Sequence, residues 1–282
     1  MTSHIIMVER NCLQRCFATL LLLSLVTVSL TGCDMIEYHP YDLDISGETD
    51  LNAKHIRRIE ERLAGRSSFS FAVISDTQRW YDETADEVES VNAWQAVDFV
   101  IHTSDLSDFG MKMEFEKQRN ILENLRVPYV CLLGNHDCLA TGEEVYRRVF
   151  GDPNFSFVAG NTLFICLNTN ALEYDYSQAI PDFAYLEELR ENLPPSVTRT
   201  IVAMHAGPYT EQFNNNVAKM FHYFIKSFPS LQFCLYGHTH QLGANELFDD
   251  GIIYYNCPSA NKRTYLRFTL DEEGYRYEPT QY

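Results

Sequence analysis

What most constrains this chain is a set of seven short, nearly continuous apolar runs: 70–75 (SFAVIS), 98–102 (DFVIH), 128–133 (PYVCLL), 161–167 (NTLFICL), 200–204 (TIVAM), 231–236 (LQFCLY) and 252–256 (IIYYN). Runs of this length without polar alternation read as strands covered on both faces. Helical patterns separate several of them. Phe183, Leu186, Leu189 and Leu193 stop at Pro194-Pro195, and Val217, Met220, Phe221, Phe224 and Phe228 share a helix face. An earlier helix is expected with Asp50 as its cap, apolar positions at Ile56, Ile59 and Leu63, and Gly65 closing it. Alternating strands and helices imply an α/β fold with its sheets covered. No repeat, low-complexity tract or break interrupts residues 50–282, which read as a single domain.

The first 49 residues have another character. Arg10 and Arg15 precede an apolar run from Ala18 to Leu30, too short to span a bilayer but suited to a secretory signal. The ending Leu30-Thr31-Gly32-Cys33 resembles a bacterial lipobox. It implies that residues 1–32 are a lipoprotein signal peptide and that Cys33 carries the lipid, holding the protein at a membrane of the cell envelope, on the periplasmic face or the cell surface. Residues 33–49, with Asp34, Glu37, Asp42, Asp44 and Glu48, read as an acidic tether. Beyond Cys33 lie Cys131, Cys138, Cys166, Cys234 and Cys257, an odd number. Four sit in strand-like runs, so buried small side chains are expected rather than a disulfide framework.

Polar residues gather where the strands stop. In order come Asp76-Thr77-Gln78, Ser104-Asp105-Leu106-Ser107-Asp108, Gly134-Asn135-His136-Asp137, His205-Ala206-Gly207-Pro208 and Gly237-His238-Thr239-His240. Loops beyond the carboxyl ends of strands carry the ligands in α/β sheets. One strand-end aspartate is ordinarily a cap, but five polar loops are poorly explained by independent capping. With 22 Lys and Arg against 39 Asp and Glu, the net charge of −17 lacks the cationic footprint of a nucleic-acid binder. It would also repel a phosphorylated compound unless bound cations reversed the field. Carboxylates and amide oxygens suit Mn²⁺ or Mg²⁺, and imidazoles add affinity for Zn²⁺, Fe²⁺ and Mn²⁺. His238 and His240 face the same way in an extended segment, so they can serve two adjacent cations.

These five segments resemble the signature of the calcineurin-like metallophosphoesterases, D-x-H, G-D, G-N-H-D/E, H and G-H-x-H, over roughly residues 70–256. The resemblance implies a four-layer fold, a two-sheet mixed β sandwich flanked by helices. It also implies two divalent metal ions that activate a bridging water to hydrolyse a phosphomonoester, phosphodiester or pyrophosphate bond. Asp76, Gln78 and His240 would hold one metal, Asn135, His205 and His238 the other, and Asp105 would bridge. His136 would be the proton donor or a charge stabiliser, oriented by Asp137.

Two positions depart from the signature. Ser104 replaces a glycine and is small enough to be tolerated. Gln78 replaces a histidine with a harder oxygen donor, which favours Mn²⁺, with Fe, Zn or Mg also compatible. In this it resembles the manganese-dependent ADP-ribose/CDP-alcohol diphosphatases. Lys262 and Arg263 are the candidates for gripping a distal phosphate, with a solvated loop pair as the alternative. His102 reads as a core histidine. A competing reading is a non-catalytic surface lipoprotein that binds a phosphorylated or glycan ligand through a degenerate metal site. Substrate identity and oligomeric state are not encoded in these motifs.

Overall fold

All seven apolar runs become strands, and four more complete two sheets among the residues described by this computed structural model, 17, 19–21 and 42–282. Cys33 and most of the signal-like segment lie outside the described residues. The chain order is α1 (Leu51–Leu63), β1 (Phe69–Ile74), α2 (Tyr81–Ala93), β2 (Phe99–His102), α3 (Lys112–Leu122), β3 (Tyr129–Cys131), α4 (Gly142–Val149), β4 (Phe155–Ala159), β5 (Thr162–Leu167), α5 (Phe183–Glu191), β6 (Arg199–Met204), α6 (Ala218–Ile225), β7 (Leu231–Tyr236), β8 (Gly243–Glu246), β9 (Ile253–Asn256), β10 (Thr264–Asp271) and β11 (Gly274–Gln281). One sheet has the order β11-β10-β1-β2-β3 and the other β4-β5-β6-β7-β9-β8. Strands β1, β2 and β3 are parallel, as are β5, β6, β7 and β9. Antiparallel hairpins β10–β11, β4–β5 and β8–β9 make both sheets mixed.

The period-two alternation of buried strands sorts the core into layers. On β1, Phe69, Phe71 and Val73 face the opposite sheet, while Ala72 and Ile74 face the helices. Between the sheets lies an aromatic layer. Phe71 stacks on Phe99 at 5.1 Å and on Phe268 at 5.2 Å, and meets Phe164 of the other sheet edge-on at 5.3 Å. Stacked and edge-to-face pairs of this kind add about 0.5–1.5 kcal/mol each beyond burial alone. Helices α2, α3 and α4 cover the first sheet, and α5 and α6 cover the second. Helix α1 closes one side against β3 and β4. The result is the expected four-layer sandwich. Among the described residues no helix is long and apolar enough to cross a membrane.

Two local expectations change. Asp50 precedes α1 but does not cap it: its backbone is left-handed (φ 53°) and its side chain makes no cap hydrogen bond. The end of the expected tether is docked rather than solvated. Leu43 and Ile45 pack against the helix-side core, Ser46 donates to Glu116 at 2.8 Å, and Arg119 donates to the Ser46 carbonyl. The five described cysteines are all unpaired, and four of them are buried.

One buried group opposes the fold. Glu87, on α2, is 1% exposed, and neither carboxylate oxygen has a hydrogen-bond partner. Burial holds its pKa well above the ordinary carboxylate range. The folded state therefore binds a proton that the unfolded state releases, and stability falls as pH rises through the folded pKa. Glu87→Gln is expected to raise the urea midpoint at neutral pH. Its advantage over the wild type should grow with pH from the carboxylate range upward, and an equal effect at pH 4 and pH 8 would contradict this.

Candidate metal centre

Both sheets bring the carboxyl ends of their parallel strands to one edge, and the five polar loops meet there. Asp76 follows β1, Asp105 follows β2, Asn135 and His136 follow β3, His205 follows β6, and His238 and His240 follow β7. Close approach explains the two motif glycines. A Cβ on Gly134 would lie 2.1 Å from Asp105 Oδ1, and one on Gly237 would lie 2.1 Å from Ser75 Oγ and 2.7 Å from Asp76 Oδ2. Side chains at either position would push the loops apart.

The turns themselves are strained. Asp76 (φ 50°), Ser104 (φ 93°), Asp105 (φ 60°), His238 (φ 66°) and His240 (φ 58°) all lie in left-handed backbone, which costs non-glycine residues on the order of 1–3 kcal/mol each. Hydrogen bonds between turns hold them. The Asp105 carbonyl accepts from the N–H groups of Thr77 and Gln78 at 3.0 Å, and the Asp76 N–H donates to the Ser104 carbonyl at 2.7 Å. Ser104 occupies a conformation suited to glycine, and its hydroxyl compensates by donating to the Leu132 carbonyl and lying 2.8 Å from Asp137 Oδ2.

The carboxylates are each satisfied on one side. Asp76 Oδ2 accepts from Ser75 Oγ and from the His238 N–H at 3.1 Å, and Thr103 Oγ1 donates to Ser75 Oγ at 2.8 Å. Asp105 Oδ1 accepts from the His136 N–H at 3.0 Å. That leaves the Gln78 amide oxygen buried without a partner, while Asp76 Oδ1 and Asp105 Oδ2 accept no hydrogen bond and have only an imidazole at ion-pair distance, His240 Nε2 at 3.2 Å and His205 Nε2 at 3.4 Å. Orphaned buried acceptors are rare and call for an explanation. A divalent cation with oxygen and imidazole ligands supplies one. Asp76, Asp105 and His240 offer ligand atoms within 4.8 Å of one another, as do Asp105, His205 and His238, so Asp105 belongs to both sets. The residues present fit two cations.

The second set converges on Asn135, whose Oδ1 lies 2.9 Å from His205 Nε2 and 3.0 Å from His238 Nδ1. His205 also donates through Nδ1 to the Thr103 carbonyl at 2.9 Å. Burial alone would lower the His205 pKa, but the Asp105 charge outweighs it and raises the imidazole to about 9. Burial and the neighbouring His205 push His238 down to about 4. His240 Nε2 stands 3.2 Å from Asp76 Oδ1 on the more exposed side of the site.

His136 is partly exposed, and its Nδ1 donates to the Asp108 carbonyl at 2.9 Å, leaving Nε2 for proton transfer. Asp108, not Asp137, therefore orients this imidazole. Asp137 is fully buried and accepts from the N–H groups of Leu106 (3.0 Å), Ser107 (2.8 Å) and Gly134 (3.0 Å) and from the Ser107 hydroxyl (2.9 Å). It ties the Asp105 loop to the Asn135 loop. Arg263 is also turned to other work: it donates to Asp86 at 2.7 Å and to the Tyr282 carbonyl at 3.0 Å. Lys262 is exposed beside it. His102 is buried between Thr77 Oγ1 and the Ser104 N–H, both at 2.9 Å, and burial lowers it to about 3, as suits a neutral core histidine.

Three contributors escaped the sequence reading. Ser75 and Thr103 steady Asp76, and the loop after β5 braces two others. Asn170 donates to the Leu133 carbonyl at 2.8 Å, and Thr169 Oγ1 accepts from the Ala206 N–H at 3.1 Å. The signal was present, since Asn168-Thr169-Asn170 also follows an apolar run.

Fold and site together define a class: an α/β sandwich whose strand-end cage of carboxylates, amides and imidazoles offers two overlapping sets of candidate metal ligands. The family described as calcineurin-like phosphoesterase matches residues 69–242, and the chain belongs to it. A 3',5'-cyclic-nucleotide phosphodiesterase of Nostoc sp. is 28% identical over 154 residues, 51% of this chain and 56% of that protein. The chain thus spans about half the length of this curated relative. Among solved structures, GAP50, the anchor in the inner membrane complex of Plasmodium, superposes with a TM-score of 0.58 at 11% identity over 77% of this chain and 85% of its own. The protein TT1561 of Thermus thermophilus gives 0.54 at 14% identity over 76% and 98%. At these identities the likeness is one of fold.

Asp137→Ala would leave three buried N–H groups without an acceptor, at a cost of about 1–3 kcal/mol for each such group. We expect a lower thermal midpoint together with reduced Mn²⁺ stoichiometry by elemental analysis. Normal stability and metal content with only a slower rate would instead favour the orienting role.

Proposed function

We propose that this protein is a metal-dependent phosphoesterase that hydrolyses a phosphomonoester, phosphodiester or pyrophosphate bond of a small phosphorylated compound. The observation that carries this reading is the convergence of three buried oxygens that accept no hydrogen bond, on Asp76, Gln78 and Asp105, with His205, His238 and His240. Asp76, Gln78, Asp105 and His240 would hold one divalent cation, and Asp105, Asn135, His205 and His238 the other. Bound there, two cations would neutralise phosphoryl oxygens and activate a water for in-line attack. The oxygen-rich first set favours Mn²⁺. Around that centre the chain's own groups orient and move protons. His136 Nε2 would protonate the leaving oxygen, with its ring fixed through Nδ1. The Asp137 clamp keeps Asp105 and Asn135 at their spacing.

A diester is the preferred substrate class among the three, supported by the phosphodiesterase name of the Nostoc relative. Export and anchoring through a lipid on Cys33 complete the proposal, supported by the lipobox-like sequence. Loss of the Cys33→Ser variant from the membrane fraction tests that part.

The activity test is direct. Chelation should abolish hydrolysis of bis-p-nitrophenyl phosphate, and added Mn²⁺ should restore it. Asp105→Asn should lose both turnover and bound metal. His136→Ala should keep its metal while losing about 10²–10⁴-fold in rate, the usual contribution of a general acid. A metal-loaded protein that hydrolyses neither this probe, nor p-nitrophenyl phosphate, nor a nucleotide panel would refute the reading. A binding-only lipoprotein would then be the alternative.

A further inference from the structure

The acidic chain needs a local cation to hold a phosphorylated ligand in addition to any metals; Lys262 is exposed on its loop, but two other basic residues are already engaged. Arg263 is committed to Asp86 and the Tyr282 carbonyl, and its guanidinium lies 5.0 Å from the Tyr282 ring centre. Lys117 sits 3.5 Å above the Tyr81 ring. A different cation is brought to the site. Arg79 directly follows Gln78, in left-handed backbone at φ 60°. Its side chain is 56% exposed, so it is not a structural core residue. Its Nη2 ion-pairs with Asp108 Oδ1, and that same oxygen lies 3.7 Å from His136 Nδ1. Asp108 therefore holds two groups at once, the imidazole through its carbonyl and the guanidinium through its carboxylate.

We propose that Arg79 grips the substrate's phosphoryl group: fixed beside His136 by the Asp108 carboxylate, it donates its remaining N–H groups to a non-bridging phosphoryl oxygen. Guanidinium offers five donors in a rigid fork, so one bond to Asp108 leaves others free for an oxyanion. The Asp108 bond costs the fork little and places it in advance, which reduces the ordering cost of binding.

The inference rests on the phosphoesterase reading, and the experiment separates the two. Inorganic phosphate binding to metal-loaded, full-length protein is measured by calorimetry, beside KM and kcat for bis-p-nitrophenyl phosphate. Arg79→Ala and Arg79→Gln should weaken phosphate about tenfold or more, the worth of a charged hydrogen bond, and KM should rise in step with two metals retained. Arg79→Lys should fall between them and the wild type. Phosphate affinity within twofold of wild type in folded, metal-loaded Arg79→Gln would overturn the assignment. So would loss of metal from all three variants, which would make Arg79 a support of the cage. If the wild type turns over no ester but binds phosphate through Arg79, the assignment stands and the enzymatic reading falls. If the metal-loaded wild type binds no phosphate, the assignment falls.

Discussion

The site depends on one buried carboxylate that belongs to neither set of candidate ligands. Asp137 gathers the N–H groups of Leu106, Ser107 and Gly134 with the Ser107 hydroxyl, and the Ser104 hydroxyl lies 2.8 Å from it. Burial and the nearby Asp105 push its pKa up, and these donors pull it back. A carboxylate in that position is tolerable only because so many donors meet it. The consequence is mechanical. Two loops from neighbouring parallel strands, each carrying a group for the cage, are held in one register by a single residue.

The second constraint is how closely the sheets approach. The aromatic layer of Phe71, Phe99, Phe157, Phe164, Phe233 and Phe268 sets the spacing between them. At the edge of that layer, Asp76 and Asp105 come from one sheet and the three histidines from the other. The Thr103 carbonyl, on the first sheet, receives the Nδ1 proton of His205, on the second. Gly134 and Gly237 allow the loops to interlock where any Cβ would collide. The core thus fixes the cage dimensions, and the glycines allow the loops to use them.

Much of this was legible in the residues alone, for physical reasons that also mark the limit. Strands β1, β2, β3, β5, β6, β7 and β9 are buried on both faces and announce themselves as apolar runs. Strands β8, β10 and β11 have a solvent-facing side, and β8 (GANE) has almost no apolar content. Helices α2 and α3 bury Glu87, Glu114, Gln118 and Arg119, which breaks the stripe by which a helix is recognised. At the site, residue type and strand-end position were enough to nominate the side chains that converge. They could not say which way a side chain points in a left-handed turn. Asp137 therefore turned inward to the loops, Arg263 turned to Asp86, and Arg79, beside Gln78, gave no sign of being near His136.

The left-handed turns also bear on how such a protein can diverge. At Asp76, Asp105, His238 and His240 a replacement must satisfy both the chemistry of the side chain and a backbone shape that mainly glycine, asparagine and aspartate accept. Few single changes meet both demands. Lineages carrying this scaffold should therefore explore new substrates through exposed neighbours such as Arg79, while the centre either persists or decays outright.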